Sequence, residues 1–155
     1  MDYKKETYAG ISIAVMGIFI GRYLPFLINN NICSASLCEE IIEEIISLPL
    51  FLFSCVFFLL FLLLIFIKSN NYYIWKKFMK IFVPISFIII ALSTSEDDMF
   101  FPSLREIFSY ALPLTFLVSS FIVIKFYSKK INFRIIIPAS FFLSLILLYI
   151  IAVIL

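Results

Sequence analysis

Long apolar runs separated by short polar segments dominate this chain. A helix needs about 20 apolar residues to cross a hydrocarbon core about 30 Å thick. Five runs reach or approach that length, at approximately residues 8–28, 48–67, 78–95, 107–124 and 135–155. Backbone groups in lipid must be satisfied within the segment, so each run is predicted to be a helix. The pattern predicts an all-α integral membrane protein, a small bundle of about five transmembrane helices in a single membrane domain.

The charged residues between the runs alternate in sign along the chain. If every run crosses the membrane, ten of the twelve basic residues share one side and eight of the ten acidic residues share the other. Basic residues in short loops stay in the cytoplasm. We therefore predict that the N-terminus is inside, the C-terminus is outside, and the chain is a multi-pass protein of the plasma or inner membrane. The short third run is the weakest span, and without it this alternation would break.

Composition agrees with a membrane protein and argues against an enzyme. The chain is 64% hydrophobic and 14% charged, whereas soluble domains are about 45–50% apolar and about 25% charged. Histidine is absent, which removes the commonest metal ligand and the commonest general base. No nucleophile motif or metal-ligand spacing replaces it. We expect no catalytic residue, no cofactor and no metal site, and the short basic loops give no reason to expect nucleic-acid binding.

Local signals refine the ends of the third and fourth helices. The aromatic residues between 72 and 75 lie beside lysines and are expected at the inner headgroup region. Pro84 is expected near the start of its helix. Ser103 and Glu106 have the spacing of a capping box, which predicts that the fourth helix begins beside Ser103.

All three glycines of the chain fall in the first run. At 100° per residue they share one stripe with an alanine, and the stripe consists of Gly10, Ala14, Gly17 and Gly21. Gly17 and Gly21 have the small-xxx-small spacing that lets another helix approach closely. The stripe is predicted to be a helix-packing face, either within this bundle or against a second chain.

Arg22 lies inside the same run. A charge within a membrane span is a functional hypothesis by default, and its partner should be named. Glu39 and Glu43 are the candidates for an intramembrane charge pair. The alternative is that Arg22 extends its side chain to headgroup phosphates.

Residues 38–47 form an acidic segment before the second run. On a helix its glutamates cover one face and its isoleucines the other, which predicts an amphipathic helix on the outer membrane surface. This helix is expected to turn into the second span at Leu48 and Pro49. With a later acidic cluster it forms a predicted acidic outer rim of Glu39, Glu40, Glu43, Glu44, Glu96, Asp97 and Asp98. Carboxylates could ligate a hard cation, but no calcium-loop motif is present, and we interpret the rim as a solvated face.

Two cysteines, Cys33 and Cys38, are predicted to face the outside, where thiols can be oxidised. They could form a small disulfide. A redox-active pair is the alternative, although the C-x-x-C spacing of thiol oxidoreductases is missing.

These features favour a non-catalytic accessory, assembly or interaction subunit. Its expected partners are the lipid bilayer and either a protein or a second copy bound through the glycine stripe. An oligomeric small-cation-linked transporter or pore is the alternative, and a thiol-redox membrane protein using Cys33 and Cys38 is a third possibility.

Overall fold

Helices make up almost all of the part of the chain that the structure describes. The structure is a computed structural model that describes residues 3–27, 41–94, 103–125 and 133–154. In these ranges there are five α-helices, one π-helical segment and no strand. The elements are α1 (Tyr3–Leu27), the π-helical segment (Ile41–Ser47), α2 (Leu48–Leu64), α3 (Ser69–Leu92), α4 (Leu104–Lys125) and α5 (Phe133–Ile154). The prediction of an all-helical protein is confirmed.

Within the described ranges, three helical stretches are long and apolar enough to cross a membrane. They are Tyr3–Phe26 with 24 residues, Glu44–Leu64 with 21 residues and Leu104–Lys125 with 22 residues. A shorter apolar stretch, Ile135–Ser144, lies within α5. Length and composition therefore support a membrane protein with several spans, while the number of five crossings and the orientation of the termini stay predictions.

The helices group into two compact units, Met1–Ile65 (unit 1) and Phe66–Leu155 (unit 2). In unit 1, α1 packs along α2, and the π-helical segment contacts both helices. In unit 2, α4 packs against α3 and α5, and α3 also contacts α5. The single membrane domain expected from the sequence stays a prediction.

Helix α3 begins well before the third apolar run. Lys68 is extended (φ −66°, ψ 143°), and its carbonyl accepts the N–H groups of Asn71 at 3.0 Å and Tyr72 at 3.3 Å. The lysines expected in a loop therefore lie on the first turns of α3. Pro84, expected near the helix start, lies inside α3 at an exposed position. The helix starts early because its buried stripe already begins at Tyr72 and continues through Trp75 and Phe78.

The described part of the acidic segment, Ile41–Ser47, continues into α2 without the turn expected at Leu48, while its place on the outer membrane surface stays a prediction. Ser47 has helical backbone angles (φ −66°, ψ −54°), and the stretch Glu44–Leu64 runs without a break. Pro49 cannot donate an N–H to the carbonyl four residues earlier. A π turn pairs residues five apart instead of four. The wider turn before Pro49 therefore agrees with the absence of an N–H donor at this residue.

Helix α4 starts as the capping-box spacing predicts. The Glu106 N–H donates to the Ser103 Oγ at 3.1 Å, and the Ile107 N–H donates to the Ser103 carbonyl at 3.0 Å. The N-cap role of Ser103 is confirmed.

Candidate functional site

In unit 1, helix α2 lies directly on the glycine stripe of α1. A Cβ added at Gly21 would lie 2.8 Å from the backbone nitrogen of Phe51 and 2.9 Å from its Cα. A Cβ at Gly17 would overlap the Ser54 hydroxyl. The absence of side chains at these two positions is therefore what lets the α2 backbone approach α1.

The N-terminal half of the stripe, Gly10 and Ala14, is also covered. A Cβ at Gly10 would overlap the ring of Phe61, and Ala14 is buried. A partner protein on this face would have to displace α2.

A hydrogen bond adds to this contact. The buried Ser47 hydroxyl donates to the Gly21 carbonyl, which joins the end of the π-helical segment to α1. Interhelical hydrogen bonds in membrane proteins contribute about 0.6 kcal/mol on average. Ser47 therefore supplements a contact whose main determinant is the close approach at Gly17 and Gly21.

Beside this interface, α1 and α2 form a groove of about 620 Å³ in unit 1. The groove (hereafter the Arg22 groove) is lined by Arg22 and by six apolar or aromatic residues, Ile18, Phe19, Tyr23, Pro25, Phe26 and Phe51. The Phe19 and Tyr23 rings stack, with centroids 6.4 Å apart and an interplanar angle of 15°. Arg22 itself is exposed. A single cation therefore lies in an otherwise apolar, aromatic groove.

The predicted partners of Arg22 cannot be placed beside it. Glu39 lies outside the described residues, and so does the side chain of Glu43. No ion pair joins Arg22 to a carboxylate within the part of the chain that the structure describes. The charge pair stays a prediction.

Most of the acidic rim and both outer cysteines also lie outside the described residues, namely Cys33, Cys38, Glu39, Glu40, Glu96, Asp97 and Asp98. Glu44 is described and is half-buried in the π-helical segment. Over the described ranges, no group of three or more His, Cys, Asp or Glu residues could hold a metal ion. The rim and the disulfide stay predictions.

Arg105 is a structural residue of unit 2 that the sequence analysis did not single out. Only 9% of it is exposed. Its guanidinium Nη2 donates to the Ser93 carbonyl at 3.0 Å, and its backbone N–H donates to the Thr94 carbonyl at 3.1 Å. These carbonyls end α3, where the helix dipole favours a cation. An arginine in the first turn of its own helix is unfavourably placed, and that mismatch was the available signal that it serves another helix.

Replacing Arg105 with alanine is expected to destabilise unit 2 by about 1.5–3 kcal/mol, the usual range for a hydrogen bond to a charged group. Thermal unfolding of the purified protein in detergent, followed by circular dichroism, would measure the loss. Lys125→Ala, at an exposed position at the end of α4, is the matched control and should change stability by less than about 0.5 kcal/mol. Equal unfolding temperatures for the two variants would contradict a structural role for Arg105.

Trp75 belongs to the core of unit 2, whereas the sequence pattern suggested a ring at the headgroup region. Its side chain is fully buried, and its Nε1–H donates to the Ser120 Oγ at 3.0 Å. Its ring lies 6.4 Å from that of Phe116. Tyr72, one turn earlier, is also buried. The aromatic residues of α3 therefore hold α3 against α4.

Other polar side chains of unit 2 donate to backbone carbonyls, one between two helices and two within α4. The Asn71 side chain donates to the Ile124 carbonyl at 3.1 Å. The Ser109 hydroxyl donates to the Arg105 carbonyl at 2.9 Å, and the Thr115 hydroxyl donates to the Leu112 carbonyl at 2.9 Å. Each of these three donors therefore has a hydrogen-bond partner within the protein.

The chain matches no protein-family model, no curated protein and no solved structure. Its function therefore has to be inferred from its own contacts. In the described residues of unit 2, Trp75, Asn71 and Arg105 join one helix to another, and in unit 1 the Arg22 groove lies beside the α1–α2 contact. What the structure shows of the described residues is an all-helical protein with three helices long and apolar enough to span a membrane.

Proposed function

We propose that this chain is a multi-pass membrane protein without catalytic chemistry, which acts as an accessory, assembly or interaction subunit. One observation carries the proposal: three polar side chains of unit 2, two buried and one half-buried, are hydrogen-bonded to a neighbouring helix or its end. Trp75 is hydrogen-bonded to Ser120, Asn71 to the end of α4 and Arg105 to the end of α3. A transporter or pore instead needs polar groups that face a water-filled path.

The proposed threading has five crossings, with the N-terminus inside and the C-terminus outside the cell membrane. Charge alternation and the lengths of α1, α2 and α4 support it. Helix α3 is the hardest helix to fit across the membrane. Its charge-free part, residues 81–92, would extend only about 18 Å at 1.5 Å per residue. A full crossing of about 30 Å therefore requires the lysines of α3 to extend their ammonium groups to the inner surface.

A tag placed after Leu155 is expected to react with a membrane-impermeant reagent in intact cells, because five crossings put the two termini on opposite sides. A tag before Met1 is the control and should react only after lysis. Reaction of the C-terminal tag only in lysed cells would show an even number of crossings or an inverted chain.

Purification in mild detergent distinguishes the proposed subunit from a cation pore. A subunit should co-purify with a protein partner, or with a second copy of itself, at a fixed stoichiometry. A pore should give cation flux in liposomes from the purified chain alone, and this flux should fall in Glu39→Gln or Glu43→Gln. A thiol-redox protein should trap a mixed disulfide when Cys33 or Cys38 is replaced singly. Glutamate-dependent flux or a trapped disulfide would overturn the proposal.

A further inference from the structure

We propose that the Arg22 groove binds the phosphate of an anionic phospholipid, with an acyl chain lying along its apolar walls. The inference rests on the proposed function only in requiring that α1 lies in the bilayer. It assigns to unit 1 a specific lipid site, in addition to general contact with the membrane.

The groove is built by the same close approach that packs the two helices. Because Gly21 has no side chain, the backbone of Phe51 lies against α1, and the Phe51 side chain becomes part of the groove. The stacked rings of Phe19 and Tyr23 line it on α1. The described walls of the site therefore follow from the packing of α1 against α2.

The charge of the groove fits a phosphate. Among the lining residues that the structure describes, Arg22 is the only cation and none carries a carboxylate. A guanidinium presents several N–H donors in a planar fork that matches two phosphate oxygens. In apolar surroundings this attraction is stronger than in water.

The position of Arg22 along α1 fits a lipid headgroup. It lies five residues before the end of α1 at Leu27, about 7.5 Å along the axis at 1.5 Å per residue. From that depth an arginine can extend to the interface, where the ring of Tyr23 is also favoured. Arg22 is more than one turn from the helix end, so the negative end of the helix dipole opposes a bound phosphate only weakly.

The apolar walls favour a lipid over phosphate from water. Every lining residue other than Arg22 is apolar or aromatic, and Tyr3–Phe26 is apolar enough to lie in a bilayer. A free phosphate would leave these walls without a ligand, whereas the acyl chain of a phospholipid covers them.

Native mass spectrometry of the purified protein, exposed to equal amounts of phosphatidylglycerol and phosphatidylcholine, tests the site. The natural protein should retain phosphatidylglycerol preferentially. Arg22→Gln should lower this preference about tenfold, the effect of losing one charge-assisted contact. Arg22→Lys should be intermediate, since it keeps the charge and loses the fork. Lys80→Gln removes an exposed lysine of α3 and is the matched control that should change nothing.

A measurement on the natural protein keeps the test decisive if Arg22→Gln fails to fold. Phosphatidylglycerol should raise the unfolding temperature, while phosphatidylcholine and inorganic phosphate should not. An equal rise with inorganic phosphate would overturn the lipid assignment, and no rise with any of them would overturn the site. Equal phosphatidylglycerol retention by the natural protein and a folded Arg22→Gln variant would also overturn it.

Two further outcomes distinguish the lipid site from the charge pair of Arg22 and from the proposed function. A charge pair with Glu39 or Glu43 predicts that Arg22→Gln lowers stability equally with and without phosphatidylglycerol, and that result would overturn lipid binding. Alkaline carbonate extraction tests the proposed function separately. A chain that remains in the membrane but shows no lipid preference contradicts only the lipid site, whereas an extracted chain contradicts the proposed function.

Discussion

Replacing Trp75 with alanine is expected to destabilise unit 2 by about 3–5 kcal/mol, the usual cost of truncating a buried large aromatic residue. Trp75 is fully buried, and its ring packs against Tyr72 at 6.1 Å and Phe116 at 6.4 Å. Its loss would leave a cavity between α3 and α4. Thermal unfolding in detergent, followed by circular dichroism at the helical signal, would measure the effect.

The hydrogen bond of Trp75 can be tested separately. Ser120→Ala leaves the indole N–H buried without its acceptor, which costs about 1–3 kcal/mol. Trp75 is the only tryptophan of the chain, so its fluorescence reports on this contact without labelling. Val118→Ala, at an exposed position of α4, is the matched control. A Ser120→Ala protein with the emission and stability of that control would contradict the contact.

Replacing Gly21 with leucine is expected to separate α1 from α2 at a cost of about 3 kcal/mol, at the upper end of the usual range for overpacking. The atoms in the way are the backbone nitrogen and Cα of Phe51, at 2.8 Å and 2.9 Å from an added Cβ. Backbone atoms within a helix cannot rotate aside, so the whole helix has to move. Unfolding in detergent, measured for the purified variant, would give the loss.

The stability cost of Gly10→Ala can be compared with that of Gly21→Ala. At Gly10 an added Cβ meets the outer ring atoms of Phe61, and this side chain can adjust its rotamer. Gly10→Ala should therefore cost less than Gly21→Ala, although both substitutions add the same methyl group. Equal costs would contradict the packing of Gly21 against the α2 backbone.

The sequence predicted those features that depend on neighbouring residues along the chain. Apolar run length was sufficient for the helical class, because a backbone in lipid has to satisfy its own hydrogen bonds. The N-cap at Ser103 was visible because a capping box spans only four residues. The spacing of Gly17 and Gly21 indicated a packing face, because two small residues one turn apart leave room for a neighbouring helix.

The start of α3 was misjudged for a local reason. Hydropathy places the start of the helix near residue 78, after Lys76 and Lys77, whereas the structure begins it at Ser69. The lysines occupy positions between the buried ones, since Tyr72, Trp75 and Phe78 follow helical spacing through the same region. That spacing was present in the sequence and is a better guide to a helix start than the absence of charge.

The sequence by itself determined that the chain is helical and rich in apolar stretches of membrane length. It also placed a stripe of small residues and an arginine within the first of these stretches. Only the tertiary structure decided that α2 covers the stripe, that Trp75 is hydrogen-bonded to Ser120, and that Arg105 donates a hydrogen bond at the end of α3. The reason is physical: helix formation depends on residues a few positions apart, whereas these contacts between helices join residues 12 or more positions apart. No local pattern specifies which of several similar apolar helices will fill that face.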